Sequence, residues 1–247
     1  MKTQKIIDVL GTDYKNFIKI VTPHIPRDGG KELLFKSVKS ADTGGHWFEF
    51  GVFKGGTIEF ISNTLIELHR VHQIIHGFDS FEGLPEDWEM GRYTKSPTNH
   101  PLPPYSPEND YEWLDAVEDK VAKKEVFDLS GQIPEKLLKI KNINIVKGWY
   151  DKSLPKFIKE NPIHKVNFIH IDSDLYSSAK TILDNLQPYL KGKCVIHFDE
   201  FAGYPRAYEN EYKAFYEFLT NNRKNIEDVE HIGSSGEAYS FLITFKH

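Results

Sequence analysis

Short apolar runs alternate with amphipathic segments along most of the chain. The runs are rich in aromatic and β-branched residues, and such continuous runs are typical of strands buried on both faces of a sheet. Their alternation with helical patterns indicates βαβ units, and therefore an α/β fold with a mostly parallel sheet. The predicted strands cover residues 46–52, 74–79, 142–148, 165–172 and 193–200.

The two ends of the chain carry different patterns. Apolar residues recur at roughly helical spacing over residues 5–40, which predicts N-terminal helices within residues 1–44. Residues 212–219 have a helical pattern, and residues 239–245 form an apolar run typical of a strand. We expect this last strand to pair antiparallel with residues near 229–232.

Local residue types predict the ends of one helix in the second half of the chain. Ser177 and Ser178 precede an apolar face at helical spacing, and serine is a common N-cap. Gly192 follows the same face, and glycine commonly ends a helix.

Residues 82–124 interrupt the alternation of strands and helices. This stretch is rich in Pro, Tyr, Asp and Glu, and insertions of this length are usually lids, binding loops or flexible segments. It follows the carboxyl end of the second strand, where ligands of α/β sheets bind. We expect a lid or substrate role, with a surface excursion as the alternative. The core of this single domain would comprise residues 46–81 and 125–247.

Composition narrows the possible functions. The 247 residues are 39% hydrophobic and 27% charged, so a packed core is expected rather than disorder. The net charge is −5 and no lysine or arginine block is present, which argues against a nucleic-acid partner. The single cysteine, Cys194, excludes an internal disulfide and a cysteine-rich zinc site. No signal-peptide pattern or apolar run of about 18–20 residues is present, so we expect a cytoplasmic protein that does not span a membrane.

The residues EFGVFKGGT at 49–57 lie at a predicted strand-to-helix turn. Glycines there allow the backbone to approach a ligand closely, and the following helix N-terminus favours a negative group. The spacing is not that of a dinucleotide-binding fingerprint, and a tight turn that needs glycine is the alternative. Asp79 ends the second strand, where an acid can accept hydrogen bonds from ribose hydroxyls, although aspartate is also a common helix cap.

Four carboxylates follow the fourth and fifth strands: Asp172, Asp174, Asp199 and Glu200. Consecutive strands often lie side by side, which would bring these groups together, and a hard cation such as Mg²⁺ or Ca²⁺ would relieve their repulsion. The alternative is that Asp174 and Glu200 cap helices and face water. Without a metal, Asp174 and Asp199 would be the leading candidates for a general base.

The histidines give weaker signals. His170 and His197 lie within the fourth and fifth strands, and we expect them to be hydrogen-bonded core residues. His100 in the insertion and His231 near the last strands have no motif around them.

Together these segments resemble class I S-adenosylmethionine-dependent methyltransferases, and more narrowly the macrocin O-methyltransferase family, which methylates sugar hydroxyls in natural products. The matching stretches are EFGVFKGGT, FDSFEGLPEDW, VKGWYDKSLP, HIDSDLYSSAKTIL and GKCVIHFDEF, in the order of the family. The resemblance implies a Rossmann-like sandwich whose seven-stranded sheet has a reversed last strand. It also implies a cofactor site for S-adenosyl-L-methionine formed by Glu49, Gly51, Phe53, Gly55, Thr57, Asp79, Ser80, Gly148, Trp149 and Asp172.

The resemblance further implies a divalent metal, usually Mg²⁺, bound by Asp172, Asp199 and Glu200. Relatives often have two aspartates where this chain has Asp199 and Glu200. Catechol-type methyltransferases carry a catalytic lysine three residues after the first metal acid, but Leu175 occupies that position here. The catalytic candidates are therefore Asp172, Asp199 and, as a base from the lid region, His100.

The expected reaction is metal-dependent methyl transfer to a hydroxyl of a sugar or another small molecule, with a vicinal diol well suited to the metal. The rival hypothesis is a nucleotide-sugar glycosyltransferase that uses Asp172-Ser173-Asp174 as a D-x-D motif. A third is a non-catalytic protein that only binds the cofactor or a partner. Sugar methyltransferases of this kind often assemble through their N-terminal and lid segments, so the resemblance is compatible with a homo-oligomer.

Overall fold

The computed structural model describes residues 6–10, 14, 17, 21, 30–93 and 117–246. Within these ranges the secondary structure alternates as the sequence predicts. The helices are α1 (Ile6–Val9), α2 (Gly30–Ser40), α3 (Gly56–Glu67), α4 (Tyr150–Glu160), α5 (Tyr176–Leu186) and α6 (Glu211–Asn221). The strands are β1 (His46–Phe50), β2 (Ile75–Asp79), β3 (Trp88–Glu89), β4 (Arg92–Tyr93), β5 (Val117–Glu118), β6 (Val121–Ala122), β7 (Ile143–Lys147), β8 (Val166–Ile171), β9 (Lys193–Phe198), β10 (Ile226–Ser235) and β11 (Ala238–Phe245).

One seven-stranded sheet forms the centre of the fold, in the order β10-β11-β9-β8-β1-β2-β7. Only β11 runs against its neighbours, since it pairs antiparallel with both β10 and β9. Val229 opposes Ile243, which confirms the predicted antiparallel pairing of the last strand. Strands β8 and β9 are adjacent and parallel, so their carboxyl ends meet at one edge, as predicted.

The two faces of the sheet are covered by different helices. Leu34 and Val38 of α2 pack with Ile61 of α3 against the face that carries Trp47. Helices α4, α5 and α6 cover the opposite face, where Phe48, Phe50, Phe78 and Phe198 are buried without exposed surface. Both sheet faces are therefore buried, which explains the continuous apolar runs of the strands.

Two predicted helix boundaries are wrong. Helix α5 begins at Tyr176, and its N-cap is Leu175, without a side-chain cap hydrogen bond. Ser177 and Ser178 are therefore inside the helix. The helix ends at Leu186 and continues as a 3-10 turn, and Gly192 instead adopts a positive φ of 61° in the turn before β9.

The two ends of the insertion lie beside each other. Strand β3 pairs with β6 and β4 with β5, both antiparallel, so residues 82–93 and 117–124 form a narrow ribbon. Trp88 of this ribbon packs edge-on against Tyr204, with ring centroids 5.6 Å apart. None of the helices among the described residues combines the length and the apolar composition of a membrane-spanning segment.

Candidate functional site

A cavity of about 670 Å³ opens at the carboxyl ends of β1, β2, β7 and β8. This volume is within the range of roughly 300–1,000 Å³ that is usual for small-molecule sites. Its walls include six of the ten residues predicted to bind the cofactor: Gly51, Phe53, Asp79, Ser80, Trp149 and Asp172. The base of the insertion contributes Glu82, Gly83, Leu84, Pro85 and Lys124, so this segment borders the cavity.

The other four predicted cofactor residues do not line the cavity. Glu49 is fully buried in β1, and Gly55, Thr57 and Gly148 are not among the lining residues either.

The glycine turn is required by packing inside the protein. Gly51 has a φ of 92°, and a Cβ atom there would overlap the backbone carbonyl oxygen of Asp172. Gly55 has a φ of 81°, and a Cβ atom there would lie 2.5 Å from the side chain of Leu137. The missing side chain of Gly55 therefore makes room for Leu137, and its part in cofactor binding stays a prediction.

Asp79 holds the turn together through backbone hydrogen bonds. Its Oδ2 accepts from the amides of Val52 and Phe53 at 2.8 and 2.7 Å, and its Oδ1 accepts from the amide of Phe81 at 2.6 Å. The carboxylate thus fixes the glycine turn and also borders the cavity. It does not cap a helix.

The carboxylates after β8 and β9 come together in a different grouping from the predicted one. Oxygen atoms of Asp172, Asp174 and Glu200 lie within 4.8 Å of one another, whereas Asp199 forms a comparable group with His170 and His197. Asp174 is only 3% exposed and has a φ of 61°, and no helix begins at Glu200. The alternative that Asp174 and Glu200 are water-facing helix caps is therefore wrong.

Burial and mutual repulsion both raise the pKa values of these carboxylates. Burial, followed by the charges of Asp199 and Asp174, raises the pKa of Asp172 well above its usual value. Burial, followed by the charges of Asp172, Asp174 and Asp199, also raises the pKa of Glu200 well above its usual value. The pKa of Asp174 rises to about 7, first through burial and then through Asp199 and Glu237. A proton or a bound cation would therefore relieve the repulsion within this cluster.

Glu211 is a further buried acid that the sequence did not single out. It begins α6 with no exposed surface, and its Oε1 accepts hydrogen bonds from the amide and the hydroxyl of Ser173 at 3.0 and 3.1 Å. Burial raises its pKa to about 8, and the two bonds from Ser173 oppose this rise. Its pattern in the sequence is that of an ordinary acid in a first helical turn, which gave no signal of its contact with Ser173.

A buried polar row crosses the sheet beneath this cluster. Glu49, His170, His197 and Ser240 are register partners on β1, β8, β9 and β11, so their side chains share one face. His170 was expected to be hydrogen-bonded, but neither of its ring nitrogens has a hydrogen-bond partner among the described residues. His197 meets the expectation, since its Nδ1 lies 3.0 Å from the Ser37 hydroxyl. Burial lowers the pKa of His197 well below its usual value.

The donor chemistry of the cluster fits a hard divalent cation. Asp172, Asp174 and Glu200 supply only oxygen ligands, and no lysine or arginine in the described part of the chain forms an ion pair with them. Mg²⁺ and Ca²⁺ take such ligands. His100 and the centre of the insertion lie outside the described residues.

The sequence matches the family model for macrocin O-methyltransferase (TylF) over residues 31–239. Among solved structures, the O-methyltransferase NovP is similar with a TM-score of 0.57 and 17% identity, over 87% of this chain and 80% of that chain. The calicheamicin methyltransferase CalS11 is similar with a TM-score of 0.52 and 21% identity, over 99% of this chain and 91% of that chain. Likenesses at this identity concern the fold. No curated protein matches the sequence significantly.

Proposed function

The chain belongs to the macrocin O-methyltransferase family and is therefore an S-adenosylmethionine-dependent O-methyltransferase, and we propose that it methylates a sugar hydroxyl with the help of a divalent cation. The observation that carries the proposal is the position of Asp172 and Asp174. Both line the cavity, while Glu200 stands beside them as a third oxygen donor.

The cofactor would occupy the part of the cavity above β1 and β2. Asp79 has both oxygens committed to the turn, yet each carboxylate oxygen can accept more than one hydrogen bond, so ribose hydroxyls can still bind it. Phe53 and Trp149 offer apolar walls for the adenosine and methionine parts. Gly51 lets the turn pack directly on Asp172, which would bring the sulfonium side of the cofactor close to the carboxylates.

Asp172, Asp174 and Glu200 would hold Mg²⁺, with Asp199 adding charge from the neighbouring strand end. When bound, a divalent cation acts as a Lewis acid that makes a hydroxyl easier to deprotonate, which is worth several kcal/mol. The carboxylates of this chain would fix the acceptor hydroxyl in line with the methyl group, at the short distance that near-attack geometry requires.

The acceptor side of the cavity suits a polyhydroxylated molecule. Ser177, Ser178 and Thr181 of α5 line the cavity near Asp174, and Lys124 and Lys152 add charged side chains to the cavity wall. A few hydroxyls and charged groups within a mostly apolar wall are the kind of lining that fixes the orientation of a polar ligand. A sugar with two adjacent hydroxyls would fit, since both could approach the cation.

Family membership favours methyl transfer over the glycosyltransferase hypothesis and over a binding-only role. Asp172 and Asp174 are both committed to one cluster with Glu200. A D-x-D motif alone would leave Glu200 without a role.

Cofactor and acceptor can be tested in one series. S-adenosylhomocysteine should raise the melting temperature, whereas UDP-sugars should not. Ligand at about 100 times its Kd stabilises a protein by about 2.7 kcal/mol. Sugar nucleotides and glycosides, alongside a catechol, would then be offered with S-adenosylmethionine, and methylated products would be identified by mass spectrometry.

The proposed role of the metal needs a separate experiment. EDTA should abolish methyl transfer and Mg²⁺ should restore it. Asp172→Asn and Glu200→Gln should each lower kcat by about 100-fold or more, the equivalent of about 3 kcal/mol, with little change in the affinity for S-adenosylhomocysteine. Glu67→Gln, on the exposed side of α3, is the matched control. Full activity of verified metal-free protein would refute the metal dependence of the reaction. Asp174 or Asp199 would then be the leading candidate for a direct general base.

A further inference from the structure

The turn that follows β8 carries two of the acids that line the cavity, Asp172 and Asp174, with Ser173 between them. Glu211, the first residue of α6, accepts hydrogen bonds from the amide and the hydroxyl of Ser173 at 3.0 and 3.1 Å. We propose that Glu211 is a positioning residue, which holds this turn so that its two acids keep their place at the cavity. The inference rests on the proposed function, because it presupposes a cation bound at the carboxyl ends of β8 and β9.

The main chain leaves the sheet at Ser173. The amide of Asp172 still donates to the carbonyl oxygen of Phe50 on β1 at 2.9 Å, whereas the amide of Ser173 donates to Glu211. A buried amide without an acceptor costs free energy, so the chain needs a partner at this point. Glu211 supplies that partner from 38 positions further along the chain.

The conformation of the turn needs support from its surroundings. Asp174 has a φ of 61°, which is uncommon for a residue other than glycine and persists only where neighbouring groups hold it. The carbonyl of Asp172 packs against Gly51, where a Cβ atom would overlap it. Glu211 holds the next residue through two hydrogen bonds. Without these bonds the turn should relax and carry its acids away from the cation site.

Packing alone does not account for a carboxylate at position 211. The side chain has no exposed surface, and its Oε2 has no hydrogen-bond partner among the described residues. Burial, and after it the charges of Asp174 and Asp199, raises the pKa of Glu211 to about 8 against the effect of the two bonds from Ser173. A buried acid beside other acids is costly for the fold, so its presence points to a task beyond packing.

The test is calorimetric Mg²⁺ binding to the full chain in saturating S-adenosylhomocysteine. Glu211→Ala removes the acceptor and should weaken Mg²⁺ binding by about tenfold or more, the usual effect of removing a group that orients a metal ligand. Its affinity for S-adenosylhomocysteine should change far less, which also shows that the variant is folded. Glu211→Gln keeps an oxygen that can accept from Ser173 and should bind Mg²⁺ as the wild type does.

Two further variants separate positioning from general effects. Glu217→Ala, on the same helix, removes the acceptor of the Tyr176 hydroxyl at 2.7 Å, so it should lower stability without changing the Mg²⁺ affinity. Ser173→Ala removes one of the two donors and should weaken Mg²⁺ binding by about fivefold, the equivalent of one hydrogen bond. It should have no further effect where Glu211 is already alanine. If Glu211→Ala does not fold, Ser173→Ala carries the test, and an unchanged Mg²⁺ affinity would then contradict the proposal.

Three other results would overturn the proposal. Equal Mg²⁺ affinity in the wild type and Glu211→Ala would show that the turn keeps its position without Glu211. Equal weakening in Glu211→Ala and Glu211→Gln would assign the effect to the charge, and equal weakening in Glu217→Ala would assign it to general destabilisation.

The wild-type titration distinguishes a failure of this inference from a failure of the proposed function. If the wild type binds no Mg²⁺, the proposed function loses its cation, and the role of Glu211 falls with it. If the wild type binds Mg²⁺ and any of the results above is found, only the role of Glu211 is wrong.

Discussion

Replacing Asp174 with asparagine is expected to stabilise the metal-free protein at alkaline pH. Asp174 is 3% exposed and its pKa is raised from 3.8 to about 7. Asparagine has nearly the same shape and tolerates the positive φ of 61° at this position, so the change mainly removes the charge. The experiment therefore measures the free-energy cost of burying the negative charge of Asp174.

The sign follows from proton binding. Between pH 3.8 and about 7 the folded state holds a proton on Asp174 that the unfolded state has lost. The stability that this proton provides is complete below the unfolded pKa and is lost as the pH rises through the folded pKa. These two pKa values give a loss of about 2.5 kcal/mol between pH 5 and pH 8. In a chain of this length that corresponds to about 5–10 °C in melting temperature.

Urea unfolding in EDTA at pH 5, 6, 7 and 8 would measure this loss as the difference between wild type and Asp174→Asn. The difference matters because His76 and His231, whose pKa values burial lowers to about 4, act in the opposite direction in both proteins. Glu67→Gln controls for the loss of any negative charge. Mg²⁺ should remove most of the dependence in wild type. Parallel pH profiles for wild type and Asp174→Asn would refute the reasoning.

Further predictions concern the turn, Asp79 and the insertion. Gly51→Ala should destabilise the fold by about 2 kcal/mol or more, because its Cβ atom would overlap the Asp172 carbonyl. A Cβ atom at Gly56 would have nothing within 4 Å, so the free energy of unfolding of Gly56→Ala, measured in urea, should lie within about 1 kcal/mol of that of the wild type. Asp79→Ala should lose about 1–3 kcal/mol in both unfolding and cofactor-binding calorimetry, since three amides lose their acceptor; an unchanged affinity would remove Asp79 from the cofactor site. Hydrogen exchange of the ribbon formed by residues 82–93 and 117–124 should slow when S-adenosylhomocysteine and an acceptor bind, and equal exchange with and without them would favour a static surface excursion.

The strands were predictable because a strand that is buried on both faces of a sheet needs apolar residues at successive positions, and such continuous runs are visible in the sequence. The boundaries of α5 were not, because its first turn has no side-chain cap and Asp174 supplies a left-handed residue before it. Serine near a helix start has two roles, as a cap or as an ordinary surface residue, and only the backbone conformation distinguishes them.

The acids at the strand ends were also predictable, since parallel strands end at one edge of the sheet. Their grouping was not, because it depends on how the chain turns after each strand. The contact between Ser37 and His197 joins residues 160 positions apart. Glu211 likewise reaches Ser173 from a helix whose placement the sequence does not determine.

The buried cluster of Asp172, Asp174 and Glu200 connects stability with activity. An acid buried for structural reasons is normally paired, and its removal destabilises the protein because a partner is left uncompensated. Asp172, Asp174 and Glu200 have no lysine or arginine partner in the described part of the chain, and burial and repulsion raise the pKa of each. Their neutralisation should therefore stabilise the metal-free fold while it removes cation binding and methyl transfer. Opposite signs for stability and activity in these variants would identify the cluster as a site maintained for its ligand, since a structural cluster would lose both together.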